Sequence, residues 1–300
     1  MPLNAFRFVR LGLAALVTAV LAVATAAAPA SAQDGPQRVI SIGGAITEIV
    51  YALGVEDRVI AVDTTSVYPA EAMQEKPNVG YMRALSAEGI LALGPDLILA
   101  LEGSGPPEVL DVLEAASVPV VIVPEGYTPE AIAEKVRIVA EVFGVEAEGD
   151  ALAQSILDDI AEVTAAIGAL DEPRRVMFVL SFSGGRLMAA GENTAADAII
   201  RLAGGVNAMT GFQGYAPVAD EAVAAAAPET ILAMENAGPD PVTAEGVFEL
   251  PALIGTPAAE DQSFIGFDGQ FLLAFGPRTA AAIRELAMAL YPAIDLPTLE

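Results

Sequence analysis

The amino-acid sequence predicts an α/β protein with two Rossmann-like lobes that one long helix joins. The first observation is that short apolar segments alternate with helical patterns in both halves of the chain, as in parallel sheets covered by helices. The second is a segment that occurs twice, in which a Glu precedes a Pro by seven residues, as Glu88 precedes Pro95 and Glu221 precedes Pro228. The third is residues 146–170, which lack proline and carry apolar residues at helical spacing.

The first lobe is predicted over residues 37–145 as an alternation of strands and helices. Glycines after two of the helices, Gly54 and Gly144, are typical of helix ends, and Ser86 is suited to cap the helix that follows it. Residues 64–77 form a loop or irregular segment that contains two prolines. The predicted strands are 38–42, 58–62, 97–100 and 118–123, and the predicted helices are 45–53, 87–93, 108–116 and 129–143.

The linking helix is predicted over 146–171, and the second lobe over 173–300, because Pro173 ends the helical pattern. Two glycine-bearing segments, 181–191 and 211–217, are predicted to be loops. Residues 264–275 are predicted to be a strand pair or a strand followed by a loop. The other predicted strands are 175–180 and 230–233, and the predicted helices are 194–203, 220–227 and 278–290.

The first 32 residues have the pattern of a cleavable signal peptide. Arg7 and Arg10 precede an apolar stretch rich in Ala, Val and Leu, and Ala30-Ser31-Ala32 fits the small-residue cleavage rule. The alternative is an uncleaved membrane anchor, since the apolar stretch approaches spanning length. Cleavage after Ala32 removes two arginines and no acid, so the formal net charge changes from −26 to −28.

The composition excludes several classes of function. A net charge of −26 repels nucleic acid and anionic membranes. The chain has no histidine, which excludes His-based zinc sites, His-ligated haem and catalytic triads that need imidazole. It also has no cysteine, so a lipid anchor on an N-terminal cysteine is not possible. These features predict an exported protein that is free in solution in a Gram-negative periplasm. We expect it to be a monomer.

The residues give little support for catalysis. Ser41, Ser181 and Ser183 have no histidine to activate them, and the chain lacks a Gly-x-Ser-x-Gly elbow. Gly43-Gly44 follows a predicted strand as a phosphate loop would, but the full glycine spacing and a Walker lysine are missing. We therefore predict a turn at Gly43-Gly44 and a protein that is not an enzyme.

Tyr81 is the residue with the most specific chemistry. It lies between Gly80 and Arg83 in a predicted loop that precedes a helix, and a loop held by a rigid scaffold can present a side chain to a cleft. A phenolate is a hard anionic ligand for ferric iron, and tyrosine is an axial ligand in some haem proteins. A cation such as Arg83 favours the phenolate. The alternative is a tyrosine whose ring packs while its hydroxyl meets water.

Four charged residues stand out by their positions. Glu88 and Glu221 each complement the dipole of a helix, which explains why each glutamate is there but not why the same spacing occurs twice. A carboxylate on each lobe is suited to bind a symmetric partner that has two cationic sites. Arg186 and Arg278 lie in glycine-containing loops and are suited to bidentate pairing with carboxylates. The alternative for each arginine is an ion pair within the protein.

The sequence resembles the periplasmic haem-binding proteins of bacterial ABC importers over the whole chain after residue 32. These are class III periplasmic binding proteins, in the superfamily that also binds cobalamin and siderophores. The segment 42–54 is shared with that wider superfamily, whereas Gly-Tyr-Met-Arg and Phe-Gly-Pro-Arg are more specific to the haem binders. The segments that carry the resemblance are 42–54, 79–89, 188–198, 211–217 and 272–279.

The resemblance implies a function and a set of site residues. Ferric haem is expected in the cleft between the lobes, with Tyr81 as its axial ligand and with Arg83, Arg186, Arg278 and Tyr215 around it. Glu88 and Glu221 match the glutamates that dock onto an inner-membrane permease dimer. An outer-membrane haem receptor is expected upstream.

One feature departs from the family pattern, because some members add a histidine from the loop before residue 188. Here either the haem is five-coordinate or another group such as Arg186 completes the pocket. Two other functions stay open. One is a ferric-siderophore or cobalamin binder of the same fold, and the other is an exported haem-handling enzyme such as a chelatase.

Overall fold

Two sheets flanked by helices form the two lobes that the sequence predicts. The computed structural model describes residues 35–168, 170, 172–183, 186–235 and 242–299, so the predicted signal peptide lies outside the described residues. Residues Gly35–Glu300 form one compact unit.

The sheet of the first lobe is parallel throughout. Its strands are β1 (Val39–Ile42), β2 (Val59–Val62), β3 (Leu97–Leu101) and β4 (Val120–Val123), in the order β2-β1-β3-β4. Apart from Ser41 in β1, they are continuous apolar runs, because helices cover both faces of such a sheet. All four strands therefore end at the same edge, where the following loops are brought together.

Five helices flank this sheet. They are α1 (Gly44–Ala52), α2 (Ala70–Glu75), α3 (Ala87–Ala92), α4 (Pro107–Ala115) and α5 (Pro129–Phe143). The side chains of Ser86 and Thr128 cap α3 and α5, and Gly144 ends α5 in the left-handed conformation. Helix α2 lies in the segment that was predicted to be irregular. A single 3₁₀ turn, Glu56–Arg58, leads into β2.

The predicted linking helix is observed as α6, Glu146–Ile167. Its buried side, which includes Ile156, Ile160 and Val163, follows the apolar spacing seen in the sequence. Helix α6 packs along α5 of the first lobe and also against the last helix of the second lobe, α12 (Thr279–Leu290). It therefore touches both lobes along its length.

The sheet of the second lobe is mixed. Its strands are β5 (Arg175–Ser183), β6 (Arg186–Ala190), β7 (Val206–Asn207), β8 (Tyr215–Val218), β9 (Thr230–Glu235) and β10 (Phe264–Asp268). The strand order is β10-β9-β5-β6-β8, and β7 pairs with one end of β5. The strands β10, β9, β5 and β7 run parallel to one another, whereas β6 is antiparallel to both β5 and β8. The remaining helices are α7 (Ala195–Leu202), α8 (Asp220–Ala226), α9 (Ala244–Phe248), α10 (Pro257–Glu260) and α11 (Gly269–Leu273).

Three predicted segments of the second lobe differ from the structure. Most of 181–191 belongs to the hairpin of β5 and β6, because its apolar residues pair across the two strands. Part of 211–217 forms the edge strand β8, in which Pro217 is tolerated because one side of an edge strand needs no partner. Residues 264–275 form one strand and then α11, which begins because the Asp268 carboxylate accepts a bond from the Phe271 amide at 2.8 Å.

Within the described ranges, no helix is both long enough and apolar enough to cross a membrane.

Candidate functional site

The two lobes meet through residues that follow the carboxyl ends of strands. Tyr127 follows β4, and its ring lies edge-on to that of Phe275, which follows α11, with the ring centroids 5.2 Å apart. Glu48, on α1, bonds the Arg278 guanidinium through both carboxylate oxygens. Open α/β sheets bind ligands outside the carboxyl ends of their strands. The region between these two edges is therefore the candidate site, and we call it the cleft.

Tyr81 is presented to solvent by a tightly fixed loop. Gly80 has a φ of +94°, which favours glycine, and its amide is bonded to the Asn78 side chain. Backbone bonds also join Gly80 to Thr64, and Met82 to Gly105 at 2.8 Å. The Tyr81 side chain is 46% exposed, whereas its neighbour Met82 is buried. The loop thus holds the backbone of Tyr81 while leaving its side chain accessible to a ligand.

Arg83 is exposed on the same loop and its charge reaches both lobes. Burial raises the pKa of Tyr127 in the first lobe and that of Tyr215, the first residue of β8, in the second, and the positive charge of Arg83 opposes both increases. Arg83 is therefore available to a ligand between the lobes.

Tyr127 and Tyr215 are held as neutral phenols. Burial raises the pKa of Tyr127 far above its usual value, and the negative charge of Glu125 adds to this effect. Burial also raises the pKa of Tyr215, with Glu125 again contributing and hydrogen bonds from Ala196 and Thr194 opposing it. Both side chains can donate hydrogen bonds, but neither is prepared to become a phenolate.

The Gly43-Gly44 turn is filled by protein groups. The Gly43 amide donates to the buried carboxylate of Asp63 at 2.9 Å, and the Gly44 amide donates to the Thr65 hydroxyl at 2.8 Å. A side chain at residue 44 would collide with Gln270 and with the backbone of Thr65, which explains the glycine. The amides at the start of α1 are thus satisfied, in agreement with the prediction of a turn and not a phosphate site.

Arg278 is committed to contacts inside the protein. Its Nε atom donates to Glu48 at 3.1 Å, and its guanidinium lies over the Tyr68 ring, 3.6 Å from the centroid. Glu48 is almost fully buried, and burial raises its pKa despite the bond from Arg278. The ion pair joins the two lobes. This confirms the alternative interpretation of Arg278, which was an ion pair within the protein.

Lys135 gives a second connection between the lobes. It lies on the buried face of α5 at 1% exposure, and its ammonium donates to the Phe275 carbonyl at 3.0 Å. Burial lowers its pKa to about 8, although the Glu125 charge opposes the shift. Phe275 itself has a φ of +50° and is buried. We call the contacts of Glu48 with Arg278 and of Lys135 with Phe275 the latch.

The other predicted residues lie on exposed surface. Arg186 begins β6 and is exposed. Glu88 and Glu221 are each the second residue of a short helix, α3 and α8, that leads into a parallel strand, β3 and β9. The duplicated spacing therefore corresponds to equivalent positions in the two lobes.

Sequence reasoning missed Glu48, Glu125, Tyr127 and Lys135. Lys135 had a detectable signal, because it lies on the same face of α5 as Ile132, Val136 and Val139. Glu48 and Tyr127 had none, since the partners that give them a role are more than a hundred residues away in the chain. Among the described residues, no group of three or more acidic side chains is arranged to hold a metal ion.

Comparisons with known proteins agree with this architecture. A family model described as periplasmic binding protein matches residues 39–270. The vitamin B12-binding protein of Vibrio parahaemolyticus is 30% identical over 225 residues, which cover 74% of this chain and 80% of that protein.

Solved structures give closer similarity. Periplasmic heme-binding protein BhuT, in complex with two hemes, is 39% identical with a TM-score of 0.80, covering 86% of this chain and 99% of that one. Periplasmic heme-binding protein RhuT from Roseiflexus sp. RS-1 is 36% identical with a TM-score of 0.82, covering 87% of this chain and all of that one. The lobes, the long helix and the family match all lead to one conclusion: the chain belongs to the periplasmic binding protein family.

Proposed function

We propose that this protein is the periplasmic substrate-binding component of an ABC importer and that it carries ferric haem in the cleft, with Tyr81 as the iron ligand. Its similarity to two haem-binding structures supports the ligand class. The protein takes the haem up from the periplasm and delivers it to an inner-membrane permease. An outer-membrane haem receptor is the expected source upstream.

The observation that carries the ligand assignment is the contrast among the six tyrosines of the chain. Burial raises the pKa of Tyr51, Tyr127 and Tyr215, which disfavours a phenolate at each. The hydroxyl of Tyr291 bonds the backbone of Gly204 and Arg174, and the ring of Tyr68 is covered by Arg278. Tyr81 is as exposed as Tyr68, at 46%, and somewhat more exposed than Tyr215, at 39%. It differs from both because it lies on a backbone-bonded loop beside Arg83, where its hydroxyl can reach an iron atom.

Arg83 and Arg186 are the cations we assign to the haem carboxylates. Arg83 is exposed two residues after Tyr81 on the same loop, where its guanidinium can meet a carboxylate of the ligand. Arg186 is exposed at the start of β6. We give Arg278 an indirect role in the pocket, since the bonds to Glu48 occupy its guanidinium. Tyr215 contributes its ring and hydroxyl to the wall of the second lobe.

The experiment that tests the ligand is a titration of the purified protein with haemin and, separately, with cyanocobalamin. We expect saturable haemin binding with the absorbance of a ferric phenolate complex, and no binding of cyanocobalamin. Tight cobalamin binding with weak haemin binding would instead favour the function of the Vibrio relative. Release of the metal from added haem would favour a chelatase.

We assign Glu88 and Glu221 to permease docking, because exposed carboxylates at equivalent places on two lobes match a permease with two cationic sites. Changing both residues to Ala is expected to abolish haem uptake by cells while haemin affinity stays within about twofold of the native value. Asp220→Ala, at the residue before Glu221, is the matched control and should leave uptake unchanged. Normal uptake by the double variant would refute the docking assignment.

A further inference from the structure

Glu125 is an exposed carboxylate at the cleft edge of the first lobe that the proposed function leaves without a role. It lies two residues beyond β4, and its amide donates to the Glu102 carboxylate at 3.0 Å. The Glu102 amide in turn donates to the Val123 carbonyl at 2.8 Å. The backbone therefore fixes two acidic residues side by side at the carboxyl ends of β3 and β4.

The negative charge of Glu125 affects side chains of both lobes. It raises the pKa of Tyr127, on its own loop, and that of Tyr215, on the second lobe. It also favours the ammonium form of Lys135, which lies beneath them on α5. Tyr127, two residues after Glu125, packs its ring against Phe275 of the second lobe, so the backbone of this loop lies where the two lobes meet.

The surroundings of Glu125 are aromatic. Tyr127 packs edge-on to Phe275, and Tyr215 packs edge-on to Phe178 with the ring centroids 6.3 Å apart. Phe275 and Phe178 are themselves buried, so the rings of Tyr127 and Tyr215 are the parts that the flat apolar edge of a porphyrin can contact. A carboxylate placed there would face the charges of Glu125 and Glu102, with Arg83 as the opposing cation.

We propose that Glu125 is a specificity-determining residue of the cleft, which disfavours ligand carboxylates at the end of β4 and turns the propionate edge of a bound porphyrin away from it. The inference rests on the proposed function, since it assumes a tetrapyrrole in this cleft. The repulsion by Glu125 would favour the orientation in which the propionates of that ligand point away from the end of β4.

The test compares haemin with haemin dimethyl ester, in which both propionates are blocked. Glu125→Gln is expected to tighten haemin binding by about three- to tenfold, which is the size of a single charge interaction across the partly solvated cleft. Binding of the dimethyl ester should change by less than about twofold. Glu125→Lys should tighten haemin binding further, and added salt should reduce both gains.

The matched control is Glu130→Gln, which removes the same charge from the exposed first turn of α5. It should leave both affinities within about twofold of native. Weaker haemin binding by Glu125→Gln, or equal changes for haemin and its ester, would overturn the inference while the proposed function stands. Failure of the native protein to bind either compound would overturn the proposed function and the inference with it.

Discussion

Tyr81 and Tyr215 lie at the cleft edges of different lobes, and their surroundings differ. Tyr81 stands on a loop whose backbone is bonded to its neighbours, and its side chain is 46% exposed. Tyr215 begins an edge strand, packs on Phe178, and has a pKa that burial raises. Tyr81 is therefore the side chain open to an iron atom, whereas the surroundings of Tyr215, which is itself 39% exposed, favour the neutral phenol.

This difference extends to the charged residues around them. In the first lobe, Arg83 is exposed and its charge reaches the cleft. In the second lobe, Arg278 is bound to Glu48 and stacked on Tyr68. The first lobe therefore supplies groups that are free to meet a ligand, while the second supplies an aromatic wall and half of the latch. The two lobes therefore have similar folds but contribute different groups to the site.

The largest expected effect comes from breaking the latch at Arg278. Arg278→Met leaves the Glu48 carboxylate buried without its cation, and we expect a loss of about 3 kcal/mol in the free energy of unfolding. Urea denaturation monitored by circular dichroism measures this loss.

Glu48→Gln is the control for Arg278→Met, because it keeps the shape and a hydrogen-bond acceptor and should cost about 1 kcal/mol. The double variant should lose less than the sum of the two single losses, because the residues act as a pair. Simple additivity would show that the ion pair does not couple the lobes.

Lys135 is expected to have a smaller effect on the free energy of unfolding, and this effect depends on pH. Burial lowers the pKa of Lys135 to about 8, from 10.5 in the unfolded chain. Between these values the unfolded state holds a proton that the native state has lost, so this residue makes stability rise with pH. Its contribution is complete above pH 10.5 and is lost as the pH falls through 8.

Lys135→Met should remove that contribution. We expect the free energy of unfolding of the native protein, minus that of the variant, to increase by about 2 kcal/mol between pH 7.5 and pH 10. The subtraction cancels the tyrosines, which titrate in both proteins. A difference that stays constant over this range would mean that the Lys135 ammonium is not buried at the latch.

The features predictable from the sequence are those encoded over short distances. The parallel strands, the long helix and the paired Glu-to-Pro spacing are local patterns, and each corresponds to an element or an equivalent position in the structure. The Tyr81 loop was predicted because Gly80 and the helix cap Ser86 are next to it in the chain. Export, by contrast, remains a prediction, because its residues lie outside the described part of the chain.

The features not predictable from the sequence depend on partners far apart in the chain. Glu48 and Arg278 are separated by 230 positions, and Lys135 and Phe275 by 140. An acid in a helix, such as Glu48, is typical of the surface until the fold places a second lobe against it, whereas for Lys135 the sequence indicates burial on the apolar face of α5 but not the partner. Strand 215–218 was missed for a related reason, since its identity comes from pairing with β6 and not from its own composition.

The most direct test of the account is the absorbance spectrum of haemin bound to the native protein, to Tyr81→Phe and to Tyr215→Phe. We expect the charge-transfer band of a ferric phenolate in the native protein, its loss in Tyr81→Phe with at least about a hundredfold weaker binding, and its retention in Tyr215→Phe. A band that survives in Tyr81→Phe and disappears in Tyr215→Phe would move the iron to the second lobe and contradict the assignment.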